Sequence, residues 1–197
     1  MAASAIGSVP AAAPTRPRTL LIGTSFATAA TAIYFLTLFG VYAQGRSTAL
    51  SLGQEWISPG TIPLAPGTMM MATMVLSLIT VQWAVYSIAR DDRQHAILAL
   101  VITAIFGGAV INQTAFLYTD MGLPIATNKA SLLLYVITGS HLVMIVVGLV
   151  FLALMAFRAL AGQYSSRQAD GVSAAAIFWY AVVAVYAVIW YAIYITK

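Results

Sequence analysis

Long unbroken apolar runs, separated by brief polar punctuation, set the rhythm of this chain. They cover 19–43, 62–89, 96–118, 130–160 and 173–196, and no acidic or basic side chain sits deep inside any of them. Each is longer than the roughly 20 residues a helix needs to cross about 30 Å of hydrocarbon. In lipid every backbone N–H and C=O must be paired internally, so runs of this length form helices rather than open strands. The pattern predicts an all-α, polytopic membrane protein with five transmembrane helices forming one domain over 19–197. The preceding residues, 1–18, are rich in Ala, Ser and Pro and read as a poorly ordered tail. Arg16 and Arg18 ahead of the first run imitate a signal peptide. That run is too long for a signal's apolar core and lacks a clear small-residue cleavage site before Gln44, so a retained first helix is expected.

Helix-breaking residues fall where the runs end. Gly45, Gly53, Pro59, Gly60 and Pro63 mark the first loop, Arg90 to Arg93 a compact turn, Gly122 and Pro124 the third connection, and 162–171 the fourth. The fourth run is near 30 residues, so it should tilt or emerge from the bilayer as helix. Arg16, Arg18, Arg90, Arg93, Arg158 and Arg167 fall on one side of the bilayer, against Arg46, Lys129 and Lys197 on the other. The positive-inside rule then places the N-terminus in the cytoplasm and the C-terminus outside. Trp56, Tyr118, Trp190, Tyr191 and Tyr194 suit an outer aromatic belt, and Trp83 and Tyr86 an inner one.

Composition narrows the functional classes. Apolar residues make up 61% of the chain and charged residues 7%, with a mean hydropathy of +0.93; soluble domains carry about 25% charged residues. The nine Lys and Arg are scattered singly, so they offer no phosphate footprint and nucleic acid is not an expected partner. The absence of Cys rules out disulfides, iron–sulfur clusters and thiolate metal sites.

Few side chains could carry chemistry. His141 is the one ionisable group near the middle of a span. It reads either as a proton-relay or ligand histidine, or as a neutral imidazole hydrogen-bonded to a neighbouring helix. His95, the other histidine, stands at the start of the third run, and two histidines at different depths cannot build a metal site. Asn112 and Gln113 lie within the third run and are expected to face protein, because an unpaired amide in hydrocarbon is costly. Gly23, Ala27 and Thr31 form a small-residue ridge suited to helix packing. Met69, Met70, Met71 and Met74 could suggest copper ligation, but consecutive residues face different directions on a helix, so packing and lipid-facing roles fit them better. Tyr186, Trp190 and Tyr194 make an aromatic stripe suited to an interface or belt, with a quinone or haem surface as the alternative. The acidic residues Glu55, Asp91, Asp92, Asp120 and Asp170 are all expected in loops.

The order of features in the last two spans resembles subunit III of the haem–copper oxidases, in its short five-helix bacterial form. Thr138, Gly139, Ser140, His141, Met144 and Gly148 stand in the register of the family's Thr-Gly-Phe-His-Gly helix, and Trp179 to Tyr186 in that of its final Trp-His-Phe-Val-Asp-Val-Val-Trp segment. Thr80 to Val85 and 107–118 resemble two further family segments, so the likeness extends over about 20–197. There are departures. Thr31 stands where members carry a buried Glu, Met144 replaces a second His, and Tyr180 and Val183 replace a His and an Asp. The family's ideas about a proton-responsive carboxylate therefore do not transfer.

The resemblance implies a non-catalytic accessory subunit of a respiratory terminal oxidase in the bacterial cell membrane. It implies catalytic subunit I and other oxidase subunits as partners, with haem and copper held there and no cofactor bound by this chain. It also implies two early helices that meet the catalytic subunit, and phospholipid held between those and the other three. His141, Arg158, Trp179 and Tyr180 are the candidate lipid-contact or lining residues. A subunit of a nitric oxide reductase is the alternative within the same class, since the missing carboxylates would suit an assembly that pumps no protons. A small transporter or channel is the alternative from another class, although no inverted repeat or charged pair in the spans supports it.

Overall fold

The computed structural model describes residues 18–125, 128–165 and 169–196. The tail over 1–17, and with it Arg16, Arg167 and Lys197 of the cation count, lies outside the described residues. The apolar runs are five helices: α1 (Thr19–Ser51), α2 (Leu64–Ile88), α3 (Arg93–Met121), α4 (Lys129–Leu160) and α5 (Asp170–Ile189), the last continuing into a π-helical turn at Trp190–Ile195. All five are long and apolar enough to cross a membrane. No strand occurs among the described residues.

Local chemistry fixes the helix ends. Pro63 holds the extended backbone that precedes α2, and Pro66 sits in its first turn, where the missing N–H has no intrahelical acceptor to lose. Asp92 caps α3 by accepting from the His95 backbone N–H at 3.1 Å. The α3 terminus turns through Gly122 at φ 53°, a left-handed conformation that glycine adopts freely. Asn128 and Ser131 form a reciprocal capping box at the start of α4.

Three boundaries differ from the sequence reading. α1 continues past residue 43 to Ser51, so Gly45 and Arg46 are helical rather than part of a loop. Polar residues at 44–48 suggested an end, but a helix can leave the hydrocarbon and keep its own hydrogen bonds. Asp120 lies in the last turn of α3 and Asp170 in the first turn of α5, where its negative charge suits the helix dipole.

Short connections make the helices alternate in direction. At one end of the bundle the Arg93 Nε donates to the Tyr164 carbonyl at 2.9 Å, and Arg18 lies 3.9 Å from Asp170. At the other end Trp56 folds back over α1. Its ring lies edge-on to Tyr42 at 5.5 Å between centroids and covers Gly45, where a Cβ would come within 2.6 Å of the indole. Trp56 is therefore a buried lid on α1 rather than part of an exposed belt. Tyr194 is likewise buried, against Gly67 of α2, whereas Tyr191 and Tyr86 are exposed.

α5 is the inner helix. It packs against α1, α2 and α4, while α3 closes the bundle between α2 and α4. α1 and α2 each contact α5 but share no comparable interface with each other. The two early helices therefore do not form a separate group. α2 belongs with α3, where buried Ala84, Ala96 and Ala99 let the backbones approach and Thr80 meets Thr103 at 2.7 Å between hydroxyls.

Candidate functional site

The candidate residues gather around α5, and the structure sorts them into enclosed and groove-facing groups. Trp179 is fully enclosed. Its indole sits in a notch made by two glycines on other helices: a Cβ on Gly107 of α3 would lie 2.7 Å from it, and one on Gly148 of α4 3.0 Å. The indole N–H donates to Ser77 Oγ of α2 at 2.9 Å, and Ser77 in turn donates to the Met74 carbonyl at 2.6 Å. One side chain thus joins α2, α3 and α4 to α5. It lines no groove, which corrects its reading as a lipid contact: the glycine notch draws the ring inward.

His141 is also enclosed. Its Nε2 lies 2.9 Å from the Val182 carbonyl of α5. A carbonyl only accepts, so Nε2 carries the proton. The ring stands edge-on to Phe35 of α1 at 6.4 Å and tilted over Tyr186 of α5 at 5.5 Å. The imidazole thus locks α4 to α5, with α1 closing over it. Among the described residues no three His, Cys, Asp or Glu side chains come together as metal ligands would.

Tyr180 and Arg158 face outward. The Tyr180 hydroxyl donates to Gln82 Oε1 across the α2–α5 interface. Both residues line an apolar groove of about 500 Å³ with Met71, Val75 and Leu78. Arg158, in the last turn of α4, donates to Gln163 Oε1 at 2.9 Å, and its guanidinium lies 5.3 Å from the centre of the Tyr164 ring. Arg158 is thus an exposed cation beside an aromatic ring.

The small-residue ridge divides. Gly23 is exposed, and a Cβ there would meet nothing within 4 Å. Ala27 and Thr31 line a second groove, about 470 Å³, between α1 and α4, with Tyr34, Ser140, Met144 and Phe178. Thr31 bonds its own helix at the Ala27 carbonyl, and Tyr34 meets Ser140 across the groove at 2.8 Å between hydroxyls. Met69 is exposed while Met70 and Met74 are buried, as their helical phase requires.

Sequence reasoning named Asn112 and Gln113 without their helix face, and missed the pairing of Asp92 with His95. Asn112 was expected to face protein, yet it is exposed on α3. Gln113 beside it is half-buried, with Oε1 enclosed and unbonded. At the Arg93 end of the bundle, His95 Nδ1 lies 2.6 Å from Asp92 Oδ2, and its ring tilts toward Trp83 at 5.9 Å. The His95 backbone N–H, more than any other group, holds the Asp92 carboxyl below its ordinary range. The signal for both clusters was present as residue type; what a linear pattern did not supply was the helix face.

Comparison with known proteins agrees with this arrangement. Residues 13–197 match the family described as cytochrome c oxidase subunit III. Among curated relatives, cytochrome c oxidase subunit 3 of Strongylocentrotus purpuratus is 28% identical over 172 residues, which is 86% of this chain and 66% of the relative. The Tetraodon nigroviridis protein of the same name is 29% identical over 165 residues, 82% of this chain and 63% of the relative. That of Heterololigo bleekeri is 27% identical over 176 residues, 86% of this chain and 66% of the relative. The chain spans just under two thirds of the length of these relatives. With a match over nearly its whole length and five membrane-crossing helices, this chain belongs to the cytochrome c oxidase subunit III family.

Proposed function

We propose that this chain is a non-catalytic accessory subunit of a respiratory haem–copper terminal oxidase, which stabilises the catalytic subunit and holds lipid against the bundle. The family match over 13–197 carries this reading. The structure supports it through what the helices are built to do. Their polar side chains tie helix to helix, as His141, Trp179, Tyr180 and Tyr186 do, and two apolar grooves open toward the membrane beside α1 and α5. Haem and copper belong to the partner subunits in this reading, and oxygen reduction takes place there.

The grooves lined by Tyr180 and by Thr31 are the proposed seats for acyl chains, with Arg158 as a headgroup contact near the Arg93 end of the bundle. The proposed setting is a bacterial cell membrane, with the N-terminus on the cytoplasmic side and the C-terminus outside. Gentle detergent extraction from native membranes, followed by affinity capture of this chain, tests the reading. A co-purifying large subunit with haem absorbance is expected. Capture of the chain as a lone haem-free species would overturn it.

A further inference from the structure

The outward face of α3 carries, well inside the span, a polar side chain that lipid does not explain. Leu98, Val101, Ile105, Gly108, Asn112, Ala115 and Thr119 are all exposed, and they recur at alternating steps of three and four residues. That rhythm keeps one stripe along a helix and suits a neighbour crossing at about 20°. The stripe is bulky in its first half and small in its second, where the exposed Phe116 flanks it: Gly108 would place a Cβ in open space, and Ala115 and Thr119 follow Asn112. Asn112 lies five residues past the helix midpoint, about 7–8 Å along the axis, and so within hydrocarbon whose half-thickness is about 15 Å.

Many hydroxyl side chains in the spans find a partner close by. Ser25, Thr31, Thr37 and Thr73 donate to their own helix carbonyls, and Gln82 receives Tyr180. A carboxamide brings two N–H donors and one acceptor, so a single bond back to its own helix would still leave a donor and the acceptor unmet. No described residue bonds Asn112, and the enclosed Gln113 Oε1 next to it is unbonded as well. Acyl chains offer neither donor nor acceptor at this depth.

We propose that this face of α3 docks one transmembrane helix of a partner subunit, which presents a hydroxyl or carboxamide side chain level with Asn112. Gly108 and Ala115 allow that helix close enough for the bond to form. The relatives' printed name, that of a third subunit, favours a different polypeptide over a second copy of this chain. The inference rests on the accessory-subunit reading but can fail independently of it.

The test places a photoreactive residue at Ala115 in the full-length chain, expressed in its native membranes, with Val150 on the exposed face of α4 as the comparison position. Crosslinking to a partner polypeptide is expected from 115 in clear excess over 150. Asn112→Leu should lower co-purification of the partner about three- to tenfold, the range an intramembrane polar contact supports. Asn112→Gln or Asn112→Ser should restore most of it. Labelling of lipid alone or of a second copy from position 115, or undiminished co-purification of Asn112→Leu, would overturn the docking face. If the haem-bearing subunit still co-purifies in that case, the accessory reading stands. If no partner accompanies the unaltered chain and position 115 labels no polypeptide, both fall.

Discussion

α5 and α1 are both apolar enough to cross a membrane, with mean hydropathies of 2.2 and 1.6, yet they occupy opposite situations in the bundle. In their most apolar stretches, 61% of the residues of α5 are buried and 11% of those of α1. α5 carries Ala174, Ala175 and Ala176, an indole fitted into a two-glycine notch, and polar anchors to α2 and α4. α1 presents Phe26, Ile33 and Leu36 outward, each more than 60% exposed. Hydropathy cannot choose between these positions, because lipid tails are as apolar as a leucine side chain. Notches that fit, and polar groups that need each other, choose the neighbours.

The strongest way to break this comparison is to empty the notch. Trp179→Ala leaves a cavity against Gly107 and Gly148 and removes the donor to Ser77, and it should cost about 3–5 kcal/mol. Phe26→Ala on α1 should stay within about 0.5 kcal/mol, as a substitution away from packed features does. Unfolding in mixed micelles compares them directly. Equal losses at the two positions would mean that the indole notch does not organise the bundle.

Filling the notch is the next test. Gly148→Leu drives a branched side chain into Trp179 and Phe178 and should cost about 1–3 kcal/mol. Gly23→Leu adds the same atoms to α1 where nothing lies within 4 Å. It should be neutral or slightly stabilising in the isolated chain, since glycine costs a helix about 1 kcal/mol. A fall in melting temperature for Gly23→Leu in the isolated chain would show that the α1 ridge is already packed without a partner.

A smaller effect separates structure from chemistry at His141. His141→Leu removes one hydrogen bond to Val182 while keeping an apolar body between Phe35 and Tyr186, so a loss of about 0.5–1.5 kcal/mol is expected. The haem spectra of the captured assembly should be unchanged. Loss of haem absorbance in that variant would make the imidazole a ligand or a relay instead of a lock between helices.

Much of the fold was legible because lipid demands long apolar helices, and their number and order follow from run length alone. Helix ends were less legible. Residues 44–48 are polar enough to read as a loop, but a helix leaving the bilayer can carry them, and Gly45 proved to be the platform for Trp56. The site was only partly legible. Tyr180 and Arg158 do face outward, but Trp179 and His141 are drawn inward by partners 41 to 102 residues away in sequence. Gly107 and Gly148 gave no local sign of forming one notch, since their complementarity exists only across helices. Asn112 was expected to face protein, and within this chain it faces outward, because run length and composition do not say which face of a helix is covered.

The smallest expected effect lies at the tie between α1 and α4, where Tyr34 and Ser140 share a hydrogen bond at 2.8 Å beside the groove lined by Thr31. If α1 is held mainly by shape and by whatever covers its outer face, this bond should contribute little. Intramembrane hydrogen bonds average about 0.6 kcal/mol in coupling, because each unpaired group finds other partners in the unfolded reference state. Tyr34→Phe and Ser140→Ala should each cost less than about 1 kcal/mol, and the double variant little more than either alone, since removing both groups leaves no orphan. A double-mutant cycle measured by unfolding in mixed micelles gives the coupling directly. A value above about 2 kcal/mol would show that α1 is anchored to the bundle by polar contact, as α5 is, and the contrast between the two helices would then be one of burial alone.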